Sequence, residues 1–374
     1  MAYRLKKREG IATGVRRIVR AEIARAIDEL EGRGSHDTAT AVHEARKHLK
    51  KTRAAIRLVR DDLGADLRRD ENTALRDAQA RLSGARDAEV LIATLARLQG
   101  SANGRLDAAA TVALRDALRK RRDAARRQGQ DERAEAIAEL QAVQGRVESW
   151  PLDDESFASA AQGLRRIYRD GRRAQRAATA TGDPEPWHEW RKRVKDLWYA
   201  ARILRPAAPL ELGAVVDEAD GLAELLGDHN DLAVLRVAVD EHADATTEHQ
   251  AEQLRAAIDE AASDLRRRAV PLGLRLYAEP PKRFVARVAA YLETRAAQRD
   301  AEAQWIARPT ATRVHELLEA RSGAGPRDRA RIGRELRSLG FHVSEAAKHV
   351  NASPADFDAG DFDALITSGT LRVH

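Results

Sequence analysis

Cysteine is absent from the 374 residues and methionine occurs once. That excludes disulfides, thiolate-ligated zinc, iron–sulfur clusters and thiol nucleophiles, and it leaves the redox compartment unread. Aromatic residues make up only 4%, so a core has to be built from Leu, Val, Ile and Ala. The same scarcity argues against recognition of single-stranded nucleic acid, which stacks bases on aromatic platforms. No apolar run approaches the roughly 20 residues of a membrane span, and the basic start, Met1 to Glu9, leads into no apolar signal-peptide core. The reading is therefore cytoplasmic, with no membrane partner. No GxxxxGK[ST] phosphate loop occurs, and His43-Glu44 is followed by His48, one residue too far for an HExxH zinc pair. No metal site and no cofactor are expected.

What is present is charge, and it is unevenly placed. Sixty-five Lys and Arg face 59 Asp and Glu, for a net charge of +6. Windows 4–20 and 43–60 carry +6 each, 163–176 carries +5 and 188–205 carries +4. These four stretches hold +21 in 67 residues, so the remaining 307 carry −15. Localised charge of this kind marks a site for an anion rather than a uniformly solvated surface.

Two of the windows repeat each other. His43-Glu44-Ala45-Arg46-Lys47-His48-Leu49-Lys50 lies over His188-Glu189-Trp190-Arg191-Lys192-Arg193-Val194-Lys195 at an offset of 145. Ala55, Arg57 and Arg60 then meet Ala200, Arg202 and Arg205. Asp87 and Leu91 fall opposite Asp231 and Leu235, and Arg16-Arg17-Ile18 matches Arg165-Arg166-Ile167. Matches in the same order, drifting only by loop length, indicate an internal duplication. Trp150-Pro151 is the seam.

Apolar spacing predicts helices near 10–32, 38–63, 66–84, 86–99, 105–128 and 131–148. The second half follows with 156–178, 186–206, 211–226, 229–243, 247–276 and 281–303. Residues 308–374 hold ten basic and nine acidic residues and lack the positive bias. In them Glu345 to Phe357 has a helix-turn-helix rhythm, although a helical appendage covering an apolar face is favoured. Thr370 to His374 reads as a short strand.

At 100° per residue, His43, Arg46, Lys47, Lys50 and Arg57 share an arc of about 100°. Val42, Ala45, Leu49, Ile56 and Val59 take an arc from about 160° to 260°. His188, Arg191, Lys192, Lys195 and Arg202 repeat the arrangement, with Tyr199 beside them. A basic stripe is ordinarily a solvated face, but its repetition with the same residues at the same angles argues for function. Cations stacked at i, i+3, i+4 and i+7 repel one another, and an anion would offset this. Each stripe runs about 21 Å along its helix axis, longer than one orthophosphate, and suits an elongated polyanion. Arg17, Arg20, Arg166 and Arg169 of the preceding helices are expected to join the two stripes. Glu44 and Glu189 lie off the stripe and should pair with cations of their own helix. Arg119, Arg122 and Arg126 form a candidate outer ring.

The segments HEARKHLK, HEWRKRVKDLWYAARIL, LSGARDAEVL and LGDHNDLAVL, with ATGVRRIVRAEI upstream, resemble the conserved-histidine α-helical domain, the CHAD family. The resemblance covers about residues 3–303. It implies an all-α fold of two pseudo-twofold-related bundles, repeats 1–150 and 151–305, with a basic channel or groove between them and a C-terminal appendage at 306–374. It also implies inorganic polyphosphate as partner, held by His43, Arg46, Lys47 and Lys50 with His188, Arg191, Lys192 and Lys195. Two departures from symmetry stand out: Arg86-Asp87 is matched by Asn230-Asp231, and Arg53 by Trp198. Asp87 and Asp231 are expected near helix starts, as caps or as partners that orient an Arg.

The reading is non-catalytic binding of polyphosphate, with targeting to polyphosphate granules as one use. A tunnel-type triphosphate hydrolase would need an N-terminal ExExK strand motif, and none is present. The alternatives are a phosphohydrolase or phosphotransfer enzyme using His43 or His188, and a nucleic-acid binder.

Overall fold

The computed structural model describes residues 3–6, 9–82, 84–101, 106–301, 304–306 and 308–373. Asp37 accepts a hydrogen bond from the Thr40 amide at 2.8 Å and so starts helix α2, Thr38–Leu58. Asp107 does the same for α5 (Ala108–Arg146) and Ser156 for α6 (Phe157–Ala180). In α7 (Pro184–Leu204) a proline at the first position serves, because its missing N–H is one the helix would leave unpaired anyway. Thr247 and Gln250 cap each other reciprocally at the start of α9, Glu248–Leu276. The remaining helices of the first ten are α1 (Ile11–Leu30), α3 (Ala65–Arg81), α4 (Gly84–Ser101), α8 (Pro209–Glu241) and α10 (Pro281–Ala301).

The fold is all-α, as expected, but it has fewer breaks than the sequence suggested. The segments expected at 105–128 and 131–148 form the single helix α5, because the Arg, Ala, Glu and Gln around Gly129 are strong helix formers that carry one glycine. Likewise 211–226 and 229–243 are one helix, α8, and Gly227 is no stop. A Cβ at Gly227 would lie 3.5 Å from the Arg191 Nε, in ordinary contact, and the helix carries this glycine as α5 carries Gly129.

The chain divides into two compact units, residues 1–291 and 292–374. In the first, α1 packs on α2 and α6 on α7, while α2 also lies against α6 and α7. Ala45, Leu49, Ile56 and Val59, four of the five residues placed on the packing arc of α2, are buried; Val42 is half-buried. The backbones of α2 and α6 come close at Gly163, where a Cβ would collide with the Leu58 carbonyl. Tyr3 and Leu5 tie the N-terminal segment to this pair. The Tyr3 hydroxyl donates to the Lys51 carbonyl at 2.9 Å, and the Leu5 amide to the Ile203 carbonyl at 3.0 Å. A second core of Leu95, Leu118, Leu235 and Leu254 joins α4, α5, α8 and α9.

The second unit contains α11 (Arg308–Ser322), α12 (Pro326–Ser338), α13 (Val343–Val350) and α14 (Ala359–Thr367) around Phe341, Phe357 and Phe362. Glu345 to Phe357 covers one helix and a turn rather than two helices. The chain leaves α13 through Asn351 in the left-handed region at φ 58°, and α14 starts only after its cap Asp358. Strand β1 (Gln304–Ile306) pairs in parallel with β2 (Leu371–Val373), which bears out the expected terminal strand. No helix among the described residues is long and apolar enough to cross a membrane.

Candidate functional site

The first stripe lies along α2. His43 and Arg46 are half-buried and Lys50 is exposed. Lys47 donates to Glu44 at 2.8 Å, the expected pairing within the helix. Burial opposes charge on Glu44, but the Lys47 hydrogen bond and the charges of Lys47 and His43 hold its carboxyl below the usual range. Arg57 crosses to α7, where its Nη1 is 3.0 Å from Asp196.

The second stripe, on α7, is more crowded. Burial pushes the His188 imidazole down, and Lys192 and Arg191 add to this against Asn230 and Glu185. Burial likewise lowers the Lys195 ammonium, with Arg191 and Arg202 opposing its charge while Asp220 and Glu224 favour it. The His188 Nδ1 and the Arg191 Nε are buried and have no hydrogen-bond partner. Lys192 is 3.5 Å from Glu189, as expected. Trp198, which replaces Arg53 of the first half, takes Lys195 at 3.9 Å and Arg202 at 4.6 Å over its ring. A cation over an aromatic face keeps its charge and loses none of its capacity for an anion on the outer side. Arg202, at 5.6 Å, and Lys51 of α2, at 5.7 Å, both approach the Tyr3 ring. Tyr199 is buried against Tyr3 and Trp198 and serves packing.

The four arginines of the preceding helices take different positions. Helix α1 faces α2 through Glu22, and Arg17 and Arg20 lie about 140° and 160° around the helix from it. Arg17 is held by Glu9 at 2.6 Å and by the Arg4 carbonyl at 2.9 Å, and Arg20 by Glu148. The structure does not bring these two to the α2 stripe. Arg169 pairs with its neighbour Asp170 at 2.9 Å. Arg166 pairs with Asp61 and meets Arg57 in a pocket of about 470 Å3.

That basic pocket was missed in the sequence. One face of α3 lines it, with Ala65, Arg68, Arg69, Asn72, Thr73 and Arg76 at the i, i+3, i+4, i+7 rhythm. Opposite stand Arg57 of α2, Arg60 of the turn that follows it, Arg166 of α6 and Arg193 of α7, with Asp170 and Asp196 among them. Residues 65–76 carry three Arg against three acidic residues, so counting charge by window hid the face. Asp196 is 7% exposed and receives Arg57 and also Arg193, at 3.1 Å. Burial nonetheless raises its carboxyl above the usual value, outweighing Arg57, Arg193 and Arg53. Arg53, whose Nε donates to Asn72 at 3.0 Å, is pushed down to about 10 by burial and by Arg57.

A second buried cluster was also missed. Glu22 is 1% exposed and meets His48 at 2.5 Å, Lys51 at 3.3 Å and Arg25. Its position on the apolar stripe of Val15, Ile18 and Val19 was the available signal, since a carboxylate there needs a cationic partner. Asp231 lies inside α8 and caps nothing. Burial raises its carboxyl against Arg191, and Arg97 is 3.8 Å away, so the surviving alternative is orientation of an arginine. The side chains of Arg86, Asp87 and Arg126 are outside the described residues. Arg119 and Arg122 sit on α5 beside Asp116 and Asp123. Among the described residues no three His, Asp or Glu side chains gather in a metal-binding group.

A family model described as the CHAD domain matches residues 17–240. The crystal structure of the CHAD domain from the plant Ricinus communis aligns over 73% of this chain and 94% of that one, with 21% identity and a TM-score of 0.53. PptA from Streptomyces chartreusis aligns over 72% and 98%, with 16% identity and a TM-score of 0.46. No curated protein matches the chain.

Proposed function

The chain belongs to the CHAD family, and from this premise we propose that it binds inorganic polyphosphate, without catalysis, along the stripes of α2 and α7. The observation that carries the reading is cation set against cation on α7. Lys195 and Arg202 share the Trp198 ring, and beyond burial, the main cause of the lowered His188 and Lys195 values, Lys192 and Arg191 act against charge on His188, and Arg191 and Arg202 against charge on Lys195, which Asp220 and Glu224 partly relieve. Such crowding costs stability unless an anion joins it, and a linear phosphate polymer supplies one charge per link along the length of the stripe.

In this reading residues 1–305 form the binding domain as two copies, 1–150 and 151–305, with a basic groove at their junction. A pair of contacts supports the duplication. Arg57 meets Asp196, and at the same offset of 145 Arg202 and Lys51 meet at the Tyr3 ring. The protein would act in the cytoplasm, where polyphosphate granules are one destination that such binding serves, and residues 306–374 would stay outside the site.

Titration of the full chain with long-chain polyphosphate tests the proposal. Lys47→Glu with Lys192→Glu should abolish binding, while Arg329→Glu with Lys348→Glu, exposed residues of the second unit, should change it little. Equal loss in both variants, or preference for charge-matched DNA or RNA at fixed salt, contradicts the proposal. Release of orthophosphate by the purified protein with Mg2+ contradicts its non-catalytic part.

A further inference from the structure

We propose that the α3 pocket, which shares only Arg57 with the α2 stripe, is a second anion site that takes a short condensed phosphate: free tripolyphosphate or the terminal phosphates of a longer chain. This rests on the polyphosphate reading above. Its volume of about 470 Å3 lies within the range of about 300–1,000 Å3 usual for small-ligand sites. Seven arginines and two aspartates line it, and they come from four helices and the turn that follows α2, so their forks converge on a bounded volume instead of following a line. Arginine presents two donors to two phosphate oxygens at once, which suits a compact, highly charged group.

The arginines are set against one another. Burial, Arg60 and Arg69 all oppose the charge of Arg68. Burial, Arg60 and Arg169 oppose that of Arg166, whose Nε is buried with no hydrogen-bond partner. At the inner end Arg57, Arg76 and Arg193 press on Arg53. Five of the seven lining arginines already meet carboxylates: Arg57 and Arg193 at Asp196, Arg69 at Asp66, Arg76 at Asp77 and Arg166 at Asp61, so Arg60 and Arg68 are the two that an incoming phosphate would chiefly engage. No aromatic side chain is among its lining residues, so a nucleobase would find no stacking surface and the ligand is the phosphate alone.

Chain ends suit such a pocket better than chain interiors. An inner phosphate carries one negative charge, whereas a terminal phosphate has a second ionisable oxygen, with a pKa of about 6 in phosphate monoesters. A bounded pocket with convergent donors matches the denser charge, and a stripe matches the repeating one.

The test is calorimetric titration of the full chain with three probes: tripolyphosphate, long-chain polyphosphate, and long-chain polyphosphate with both ends capped as phosphoramidates. Arg60→Ala with Arg68→Ala should weaken tripolyphosphate by about tenfold per arginine, whereas Lys47→Glu with Lys192→Glu should leave it nearly unchanged. Both arginines are half-exposed, and unchanged helical circular dichroism together with partial rescue by Arg60→Lys with Arg68→Lys separates binding from folding. If the pocket holds chain ends, capping removes the sensitivity of the long chain to Arg60 and Arg68. If it holds free short chains, capped and uncapped polymer respond alike and tripolyphosphate alone is sensitive. Long-chain binding with no tripolyphosphate binding, or tripolyphosphate binding indifferent to Arg60 and Arg68, overturns the inference and leaves the stripe reading standing. Failure of every chain length to bind overturns both.

Discussion

Salt dependence gives the sharpest measure of the stripes. Eight Lys and Arg lie on them: Arg46, Lys47, Lys50 and Arg57, then Arg191, Lys192, Lys195 and Arg202. Arg57 is held by the buried Asp196, so seven are counted as meeting phosphate. Each phosphate neutralised releases counterions, and log K falls against log salt with a slope of about −0.7 per contact for a single-stranded polyanion. Seven contacts predict a slope of about −5, or a loss of affinity of about a thousandfold between 50 and 200 mM salt. Lys47→Gln with Lys192→Gln removes two contacts while leaving Glu44 and Glu189 in place, and the slope should fall to about −3.5, with a loss of about a hundredfold over the same interval. Fluorescence anisotropy of end-labelled polyphosphate across a salt series reads both numbers. A slope shallower than about −2 in the parent, or one unchanged in the double variant, would show that the stripes are not where the polymer lies.

Two further outcomes follow from the α2, α6 and α7 junction. Gly163→Ala should lower the urea midpoint strongly, since the new methyl meets the rigid Leu58 carbonyl rather than a side chain that can move; a midpoint close to the parent's would show that α2 and α6 can separate at low cost. Asp196 has its folded value raised above 3.8 by burial, so its charge costs stability, and the cost grows as pH rises from 3.8 through the folded value and is constant above it. Asp196→Asn should therefore remove the fall in stability that the parent shows as pH rises from 3.8 through the folded value, when both are followed by urea unfolding; a parent that instead gains stability over that interval relative to the variant would mean that Arg57 and Arg193 outweigh burial.

The helices and both stripes were legible because they are periodic: apolar residues at 3.6 spacing fix the packed arc, and the cations occupy the arc beside it. Helix ends were less legible where glycine lies inside a helix. Gly227 reads as a stop in sequence, yet α8 runs through it, because the strong helix formers of the surrounding turns carry one glycine. The α3 pocket was hidden for a different reason. Arg68, Arg69 and Arg76 of α3 are interspersed along the chain with Asp66, Asp70 and Glu71, so they cancel in any linear count, and the arginines that face them come from other helices. Partners across elements, such as Glu22 with His48 and Arg57 with Asp196, depend on which helices meet, and spacing within one helix carries no record of that. Trp198 in place of Arg53 was visible as a broken symmetry, but its use as a seat for Lys195 and Arg202 emerged only from geometry.

The pairing of β1 with β2 sets a time order on the second unit. Gln304 meets Leu371 across the whole of α11 to α14, so the two strands close the longest loop in that unit. Three residues a side cannot offset the entropy of closing so long a chain until the helices have already shortened the path between them. The strand pair should therefore form last and open first. Slow hydrogen exchange at the amides of Leu371 to Val373 would then mark a unit that has finished folding, and its early loss would mark the first step of its undoing.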